Sequence, residues 1–261
     1  MKVLCLHGKG TSAAIFRSQT SSFRAKLPDQ HIEFDFIDAP YTSEPAAGVD
    51  LFYAPPYFQW WDSDSMNAVR DAVAWLNDYI AQNGPYDAAM MFSQGCVLGS
   101  SALLLHQEET PHLPPPFKTA VFICGGPSLT VLEETGFYVS PEARARDLAS
   151  KAALAQQAGN AAILTNGSSR WQGLDSIDGG LSEDELRREL KCPFQIDIPT
   201  VHIYGSKDPR YAAGVHLSAI CSPHNRRTFN HEGGHEIPRT TAVNDTLAEL
   251  VQWALETSRW T

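Results

Sequence analysis

The 261-residue sequence predicts a single doubly wound α/β domain with a mostly parallel sheet and a cap insertion. Three observations lead there. Short apolar runs alternate with longer segments of helical period, two stretches interrupt that alternation, and the motifs that could carry chemistry fall at the ends of the apolar runs. At this length and 43% hydrophobic content, one sizeable core is expected rather than two independent domains.

Buried strands are expected at Lys2–Leu6, Glu33–Ile37, Ala88–Phe92, Ala120–Cys124, Thr200–Tyr204 and Arg227–Asn230. Between them Ala13–Lys26, Ser65–Gln82, Gln94–Gln107, Tyr211–Ile220 and Thr240–Thr257 repeat apolar residues every three or four positions, as amphipathic helices do. Asp38–Asp62 breaks the rhythm with prolines and the rings of Tyr41, Phe52, Tyr53, Tyr57, Phe58, Trp60 and Trp61. It has too many rings and prolines for a helix and is too apolar for a disordered linker. Pro127–Gln195 is the second break, with helical pieces near Pro141–Ala158 and Ser182–Leu190, and reads as the cap insertion. Both stretches are expected above the carboxyl ends of the strands, where open α/β sheets bind ligands.

The balance of 20 Lys+Arg against 30 Asp+Glu gives a net charge of −10, which repels a phosphate backbone and argues against nucleic acid as a partner. Five cysteines, Cys5, Cys96, Cys124, Cys192 and Cys221, have no CxxC spacing, and most lie in apolar runs, the usage of a reducing compartment. Lys2–Leu6 enters the His7-Gly8-Lys9-Gly10 turn with no leader-like segment before it, and no apolar run approaches the roughly 18 residues of a membrane span. The expectation is a soluble cytoplasmic protein.

Four motifs carry the functional reading. In Met90-Met91-Phe92-Ser93-Gln94-Gly95 an apolar strand runs into a serine and then a helix rich in small residues, the context of a nucleophile elbow. Such a turn lifts the hydroxyl clear of the sheet and aims the next amide at a developing oxyanion. A Ser-x-Gly is common, however, and a helix N-cap is the plainer alternative. Tyr204-Gly205-Ser206-Lys207-Asp208-Pro209 places an acid in the turn after a buried strand, where an ordinary turn aspartate would also fit. Asn230-His231-Glu232-Gly233-Gly234-His235 is a glycine-rich loop between the last strand and the last helix, suited to presenting an imidazole as general base. The order serine, acid, histidine is that of the α/β-hydrolase fold, with Ser93, Asp208 and His235 as the catalytic set. Finally, the His7–Gly10 turn follows the first strand, where this fold draws a second oxyanion amide. The backbone N–H groups of Lys9 and Gln94 are the expected donors.

Competing chemistries fare worse. His231 and His235 stand four apart beside Glu232 and Glu236, but a zinc HExxH pair needs a helix that Gly233-Gly234 disfavours, so no metal is expected. Neither GxGxxG nor GxxxxGK[ST] occurs in the glycine turn after the first strand, which removes support for a nucleotide. His202, inside a strand, reads as a satisfied core group.

Leu4–Gly8, Ile15–Thr20, Phe92–Gly95, Tyr204–Pro209 and Gly233–His235, with Asp38-Ala39-Pro40 and the aromatic Tyr57–Asp62, resemble in register the fungal "family of serine hydrolases". The resemblance spans nearly the whole chain except Pro127–Gln195. It implies the α/β-hydrolase fold, the residues Ser93, Asp208 and His235, and an acyl ester or thioester substrate, since that family includes carboxylesterases and polyketide-releasing thioesterases. Met91 departs from the family, which usually has glycine there.

The expected reaction is two-step acyl transfer without a cofactor. An acyl or polyketide thioester of fungal secondary metabolism, free or carrier-bound, is favoured as substrate over a small carboxylic ester. Docking to a polyketide synthase would then use a local basic patch at Arg187, Arg188 and Lys191. Tyr57, Phe58, Trp60 and Trp61, with Phe52 and Tyr53, are expected to line an apolar acyl site that Phe137 and Trp171 close from the cap, although such rings could equally seal the cap to the sheet. A different class is a non-catalytic binding protein whose elbow Met91 has disabled.

Overall fold

The computed structural model describes residues 1–28, 31–63, 65–156, 163 and 180–258. In chain order the elements are β1 (Lys2–Leu6), α1 (Ala13–Gln19), α2 (Ser21–Arg24), β2 (Glu33–Ile37), β3 (Tyr41–Thr42), β4 (Phe58–Gln59), α3 (Met66–Asn83), β5 (Tyr86–Phe92), α4 (Gln94–Glu109) and β6 (Phe117–Ile123). There follow α5 (Leu129–Glu134), β7 (Tyr138–Val139), α6 (Pro141–Gln156), α7 (Glu183–Arg188), β8 (Leu190–Lys191), β9 (Thr200–Tyr204), α8 (Tyr211–Ala219), β10 (Arg226–Asn230) and α9 (Thr241–Thr257).

Six strands form the sheet in the order β10-β9-β6-β5-β1-β2, every neighbouring pair parallel. The chain runs outward from β1 to the edge strand β2, then returns past β1 to β5, so the switch in direction falls beside β1 and β5. That is where a doubly wound sheet opens a crevice at its carboxyl edge. The α/β-hydrolase expectation is met.

Strand side chains alternate between two cores, as a sheet covered on both faces requires. Leu4, Leu6, Ala89 and Met91 face α3, α4 and α5, while Val3, Cys5, Met90 and Phe92 face α1, α2 and α9. Serine caps set several helix starts, among them Ser12 Oγ accepting from the Ile15 N–H and Ser65 Oγ from the Ala68 N–H. The single helix expected over 13–26 is two, divided at Thr20, whose hydroxyl bonds back to the Phe16 carbonyl at 2.8 Å, with the second starting at Ser21.

The stretch read as a cap insertion holds α5, the antiparallel β7–β8 pair, α6 and α7. The remainder, including Trp171, lies outside the described residues. Ile163 packs on the aromatic stretch, its Cδ1 lying 2.7 Å from where a Cβ on Gly48 would stand. Phe137 is no lid: it is buried in the core, edge-on to Phe194 with centroids 5.0 Å apart. The basic patch is also reduced. Arg187 is bound to Glu183 and Asp184, and the Lys191 ammonium sits 5.2 Å over the Tyr138 ring. No described helix is long and apolar enough to cross a membrane.

Four buried histidines, His7, His202, His216 and His231, are held toward the neutral form chiefly by burial, His202 down to about 3 and His231 to about 4. His202 stacks on Phe122 inside the sheet, and the Glu189 carboxylate only partly counters the burial of His216. Released by unfolding, each returns to about 6.5, so below that pH the unfolded chain binds more protons and stability falls with pH. Full stabilisation holds above about 6.5 and is lost as pH drops toward 4 for His231 and toward 3 for His202. Urea unfolding at pH 5 should therefore give a lower stability than at pH 7, by on the order of 2 kcal/mol for each of His202 and His231. Equal urea midpoints at the two pH values would contradict this account.

Candidate active site

Ser93 joins β5 to α4 at φ 52° and ψ −113°, a left-handed turn that non-glycine residues adopt only under tertiary compulsion. Its N–H donates to the Ile123 carbonyl at 3.0 Å, and its carbonyl accepts from the Cys96 N–H at 3.0 Å, so the turn is tied to both β6 and the first turn of α4. Gly95 permits the descent of α4 onto the sheet, since a Cβ there would overlap the Leu6 carbonyl oxygen. Met91 is fully buried and runs under α4 into the space left by Gly99, where a Cβ would overlap Met91 Sδ. The glycine usually found before the serine is thus replaced by a methionine whose room comes from a glycine on the helix.

The loops after β9 and β10 bring two more groups to Ser93. His235 Nε2 stands 2.9 Å from Ser93 Oγ, and its Nδ1 stands 2.8 Å from Asp208 Oδ2. A carboxylate only accepts, so Nδ1 carries the hydrogen and the Nε2 lone pair faces the serine hydroxyl. The second oxygen of Asp208 accepts from the Arg210 N–H at 2.7 Å, which fixes the plane of a carboxylate that is almost wholly buried. The three residues selected from the sequence are therefore assembled as an unbroken hydrogen-bonded chain.

The serine hydrolase (FSH1) family model matches residues 1–247. The chain belongs to that family of serine hydrolases. It is similar to Esterase FPY3 of Fusarium mangiferae, 28% identical over 97% of this chain and 95% of the relative. It is similar also to the dihydromonacolin L-[lovastatin nonaketide synthase] thioesterase of Aspergillus terreus, 28% identical over 90% of this chain and 85% of that enzyme. Acyl-protein thioesterase 2 of Zea mays shares the fold, with a TM-score of 0.53 and 17% identity over 97% of this chain and 93% of the maize protein.

In this serine hydrolase the turn expected to give an oxyanion amide abuts the elbow: a Cβ on Gly8 would lie 3.2 Å from Ser93 Cβ. Gln94 is the first residue of α4, and its amide sits at the positive end of that helix. Its side chain is occupied elsewhere, Oε1 accepting from the Trp60 N–H at 3.0 Å. His7, to which the sequence assigned no role, braces the turn. Its buried ring accepts from the Ala39 N–H at 3.1 Å through Nε2 and so donates from Nδ1 to the Gly8 carbonyl at 2.8 Å. The Trp60 indole donates to the His7 carbonyl at 2.8 Å.

His231 is likewise a brace. The Gly233 N–H donates to its Nδ1 at 3.2 Å, leaving Nε2–H facing Cys124 Sγ at 3.5 Å, and that thiol faces the Glu236 carbonyl at 3.5 Å. His231 and Cys124 thus bind the loop on both sides of His235, and the two histidines do not converge. Among the described residues no group of three His, Cys, Asp or Glu is placed to hold a metal ion. Cys124 itself stands at φ 49°, a conformation no local pattern announced.

The aromatic stretch needs correction. Trp60 and Trp61 are buried in the core, Trp60 packing on Trp75 at 5.8 Å, so neither presents a surface to an acyl chain. Both follow directly on β4, and ring density alone does not distinguish a wall from a plug. Tyr57 is buried with its hydroxyl on the Tyr53 carbonyl, Tyr53 bonds Ser18 and Arg239, and Phe52 is 72% exposed. Phe58 is half-buried and packed against the core, its backbone bonded to Gly10 and Thr11. Two surface grooves, beside Leu27 and Leu255 and between α3 and the end of α4, share no residue with the site.

Met91 and Gly99 should be energetically coupled. Gly99→Ala in the native background should destabilise the hydrolase by about 1–3 kcal/mol through overpacking. In a Met91→Gly background the same change should be neutral or stabilising, since alanine is the better helix former by about 1 kcal/mol and the space is vacant. Additive effects in a four-member unfolding cycle would disprove the packing argument.

Proposed function

We propose that Ser93, His235 and Asp208 are the catalytic triad of this serine hydrolase and that it releases acyl groups by two-step transfer. The 2.9 Å contact between Ser93 Oγ and His235 Nε2, continued to Asp208 at 2.8 Å, carries the reading. His235 takes the serine proton as Oγ attacks the acyl carbon, and the tetrahedral oxyanion is received by the Lys9 and Gln94 amides. His235 then returns the proton to the departing alkoxide or thiolate. Water, deprotonated by the same imidazole, cleaves the acyl-enzyme and regenerates Ser93. Protein groups and water suffice for every step. The undistorted accommodation of Met91 favours this over a binding protein with a disabled elbow.

For substrate, the reading extends to a medium or long acyl or polyketide thioester, on a small thiol or on the carrier of a polyketide synthase. Support comes from the likeness to a thioesterase named for a nonaketide synthase, and from the half-buried Phe58, whose backbone is bonded to the Gly10–Thr11 end of the turn expected to give the Lys9 amide. A small-ester carboxylesterase is the second reading, favoured by the likeness to Esterase FPY3.

Ser93→Ala and His235→Ala should each lower kcat by a factor on the order of 10⁶, with Asp208→Asn costing less. A fluorophosphonate should label the native protein and not Ser93→Ala. Full turnover by Ser93→Ala would end the assignment. The substrate readings separate in kcat/KM for acetyl, hexanoyl and decanoyl thioesters and p-nitrophenyl esters. A thioesterase of long chains should rise with chain length, and Phe58→Ala should weaken decanoyl more than acetyl substrates, by about 1–3 kcal/mol. A maximum at acetyl ester would select the carboxylesterase.

A further inference from the structure

The inner face of α6 carries charge. Its positions turned toward the body are Ala143, which joins the core, Arg146, Asp147 and Ser150, followed by the half-buried Ala153 and Leu154, while Leu148 on the outer face is 65% exposed. Two ionic groups dock it: Arg146 on Glu189, which also holds His216, and Asp147 with Ser150 on Arg210. The second group reaches the active site. Arg210 Nη1 donates to Asp147 Oδ1 at 2.7 Å, to the Asp147 carbonyl at 3.2 Å and to Ser150 Oγ at 2.6 Å, and the residue is buried. Burial would raise the Asp147 carboxyl, but the cations of Arg210 and Lys151 outweigh it and hold it below its usual range. The backbone N–H of this same Arg210 donates to Asp208 Oδ1.

We propose that Arg210 is a positioning residue for the hydrolysis, clamped by Asp147 and Ser150 so that α6 sets the orientation of Asp208. This rests on the triad reading above. With its guanidinium held by three acceptors, Arg210 ties the turn between Asp208 and α8 to α6. Its N–H points at Oδ1 and restrains rotation of the carboxylate, so that Oδ2 remains on His235 Nδ1. Without the clamp the N–H wanders, the carboxylate turns, and the imidazole loses the partner that fixes its tautomer and direction.

The test uses Asp147→Asn and Ser150→Ala, which preserve volume closely, with Leu148→Ala as a control on the outer face of the same helix. Rates are normalised to sites titrated by fluorophosphonate, so unfolded protein does not count. Asp147→Asn should lower kcat at least ~10-fold, the scale of a displaced catalytic group, with KM little changed and the same factor for acetyl and decanoyl substrates. Leu148→Ala should match the native enzyme. In an Asp208→Asn background the further change Asp147→Asn should cost nothing, because the clamp has no carboxylate left to orient. A purely structural clamp predicts the same loss in both backgrounds, and that result, or native kcat in Asp147→Asn, overturns the proposal. An effect confined to KM for decanoyl substrates also overturns it and would make α6 a wall of the acyl site. Full turnover by Ser93→Ala would instead overturn the triad reading, and the clamp with it.

Discussion

The close approach of α4 to the carboxyl end of the sheet is the constraint on which the site depends. Ser93 holds a left-handed conformation that costs on the order of 1–3 kcal/mol, and it does so because its neighbours leave no alternative. Its amide is fixed by Ile123 and its carbonyl by Cys96, while Gly95 lets the helix touch the end of β1. Met91 shows the constraint from below. A large side chain beneath the elbow would push the helix away unless the helix gave up volume, and Gly99 does so. The requirement is therefore met by a pair of residues eight positions apart, with the larger member on the strand.

Around that fixed point three loops at the carboxyl edge are braced by buried polar groups. The ring of His7 holds the Gly8–Lys9 turn, His231 with Cys124 holds the loop of His235, and the backbone N–H of Arg210 holds the carboxylate of Asp208. Buried polar groups must find partners, and a missing partner costs more than the bond contributes, so such braces are nearly all-or-none. The histidine braces work only as neutral rings that both donate and accept, the state that burial enforces. His235 differs in having one nitrogen turned to the Ser93 hydroxyl.

The strands and most helices were legible because their periodicity is local. Lys2–Leu6, Glu33–Ile37 and Thr200–Tyr204 agree with the sequence reading at both ends, and the convergence of Ser93, Asp208 and His235 was legible because each follows a parallel strand of the sheet. The misread features are non-local. Trp60 and Trp61 look the same in sequence whether they line a pocket or fill the core, and the choice depends on distant partners such as Trp75 of α3. The break at Thr20 falls where one hydroxyl bonds backward. Cys124 and His231 meet across 107 positions, and neither the left-handed backbone of the cysteine nor the tautomer of the histidine leaves a mark on its neighbours in sequence.

The same distinction explains how the insertion is attached. A helix docked by a leucine stripe alone is positioned by many small contacts with some freedom to slide. α6 adds two buried ion pairs to its apolar contact at Ala143, and the desolvation of such pairs largely offsets their attraction, so they add little to stability. What they supply is direction, because a guanidinium shared among a carboxylate, a carbonyl and a hydroxyl has few equivalent geometries. An acid that must present one oxygen to a histidine and the other to a backbone amide needs direction more than strength. Arg210 sits where both needs meet, its side chain answering to α6 and its amide to Asp208.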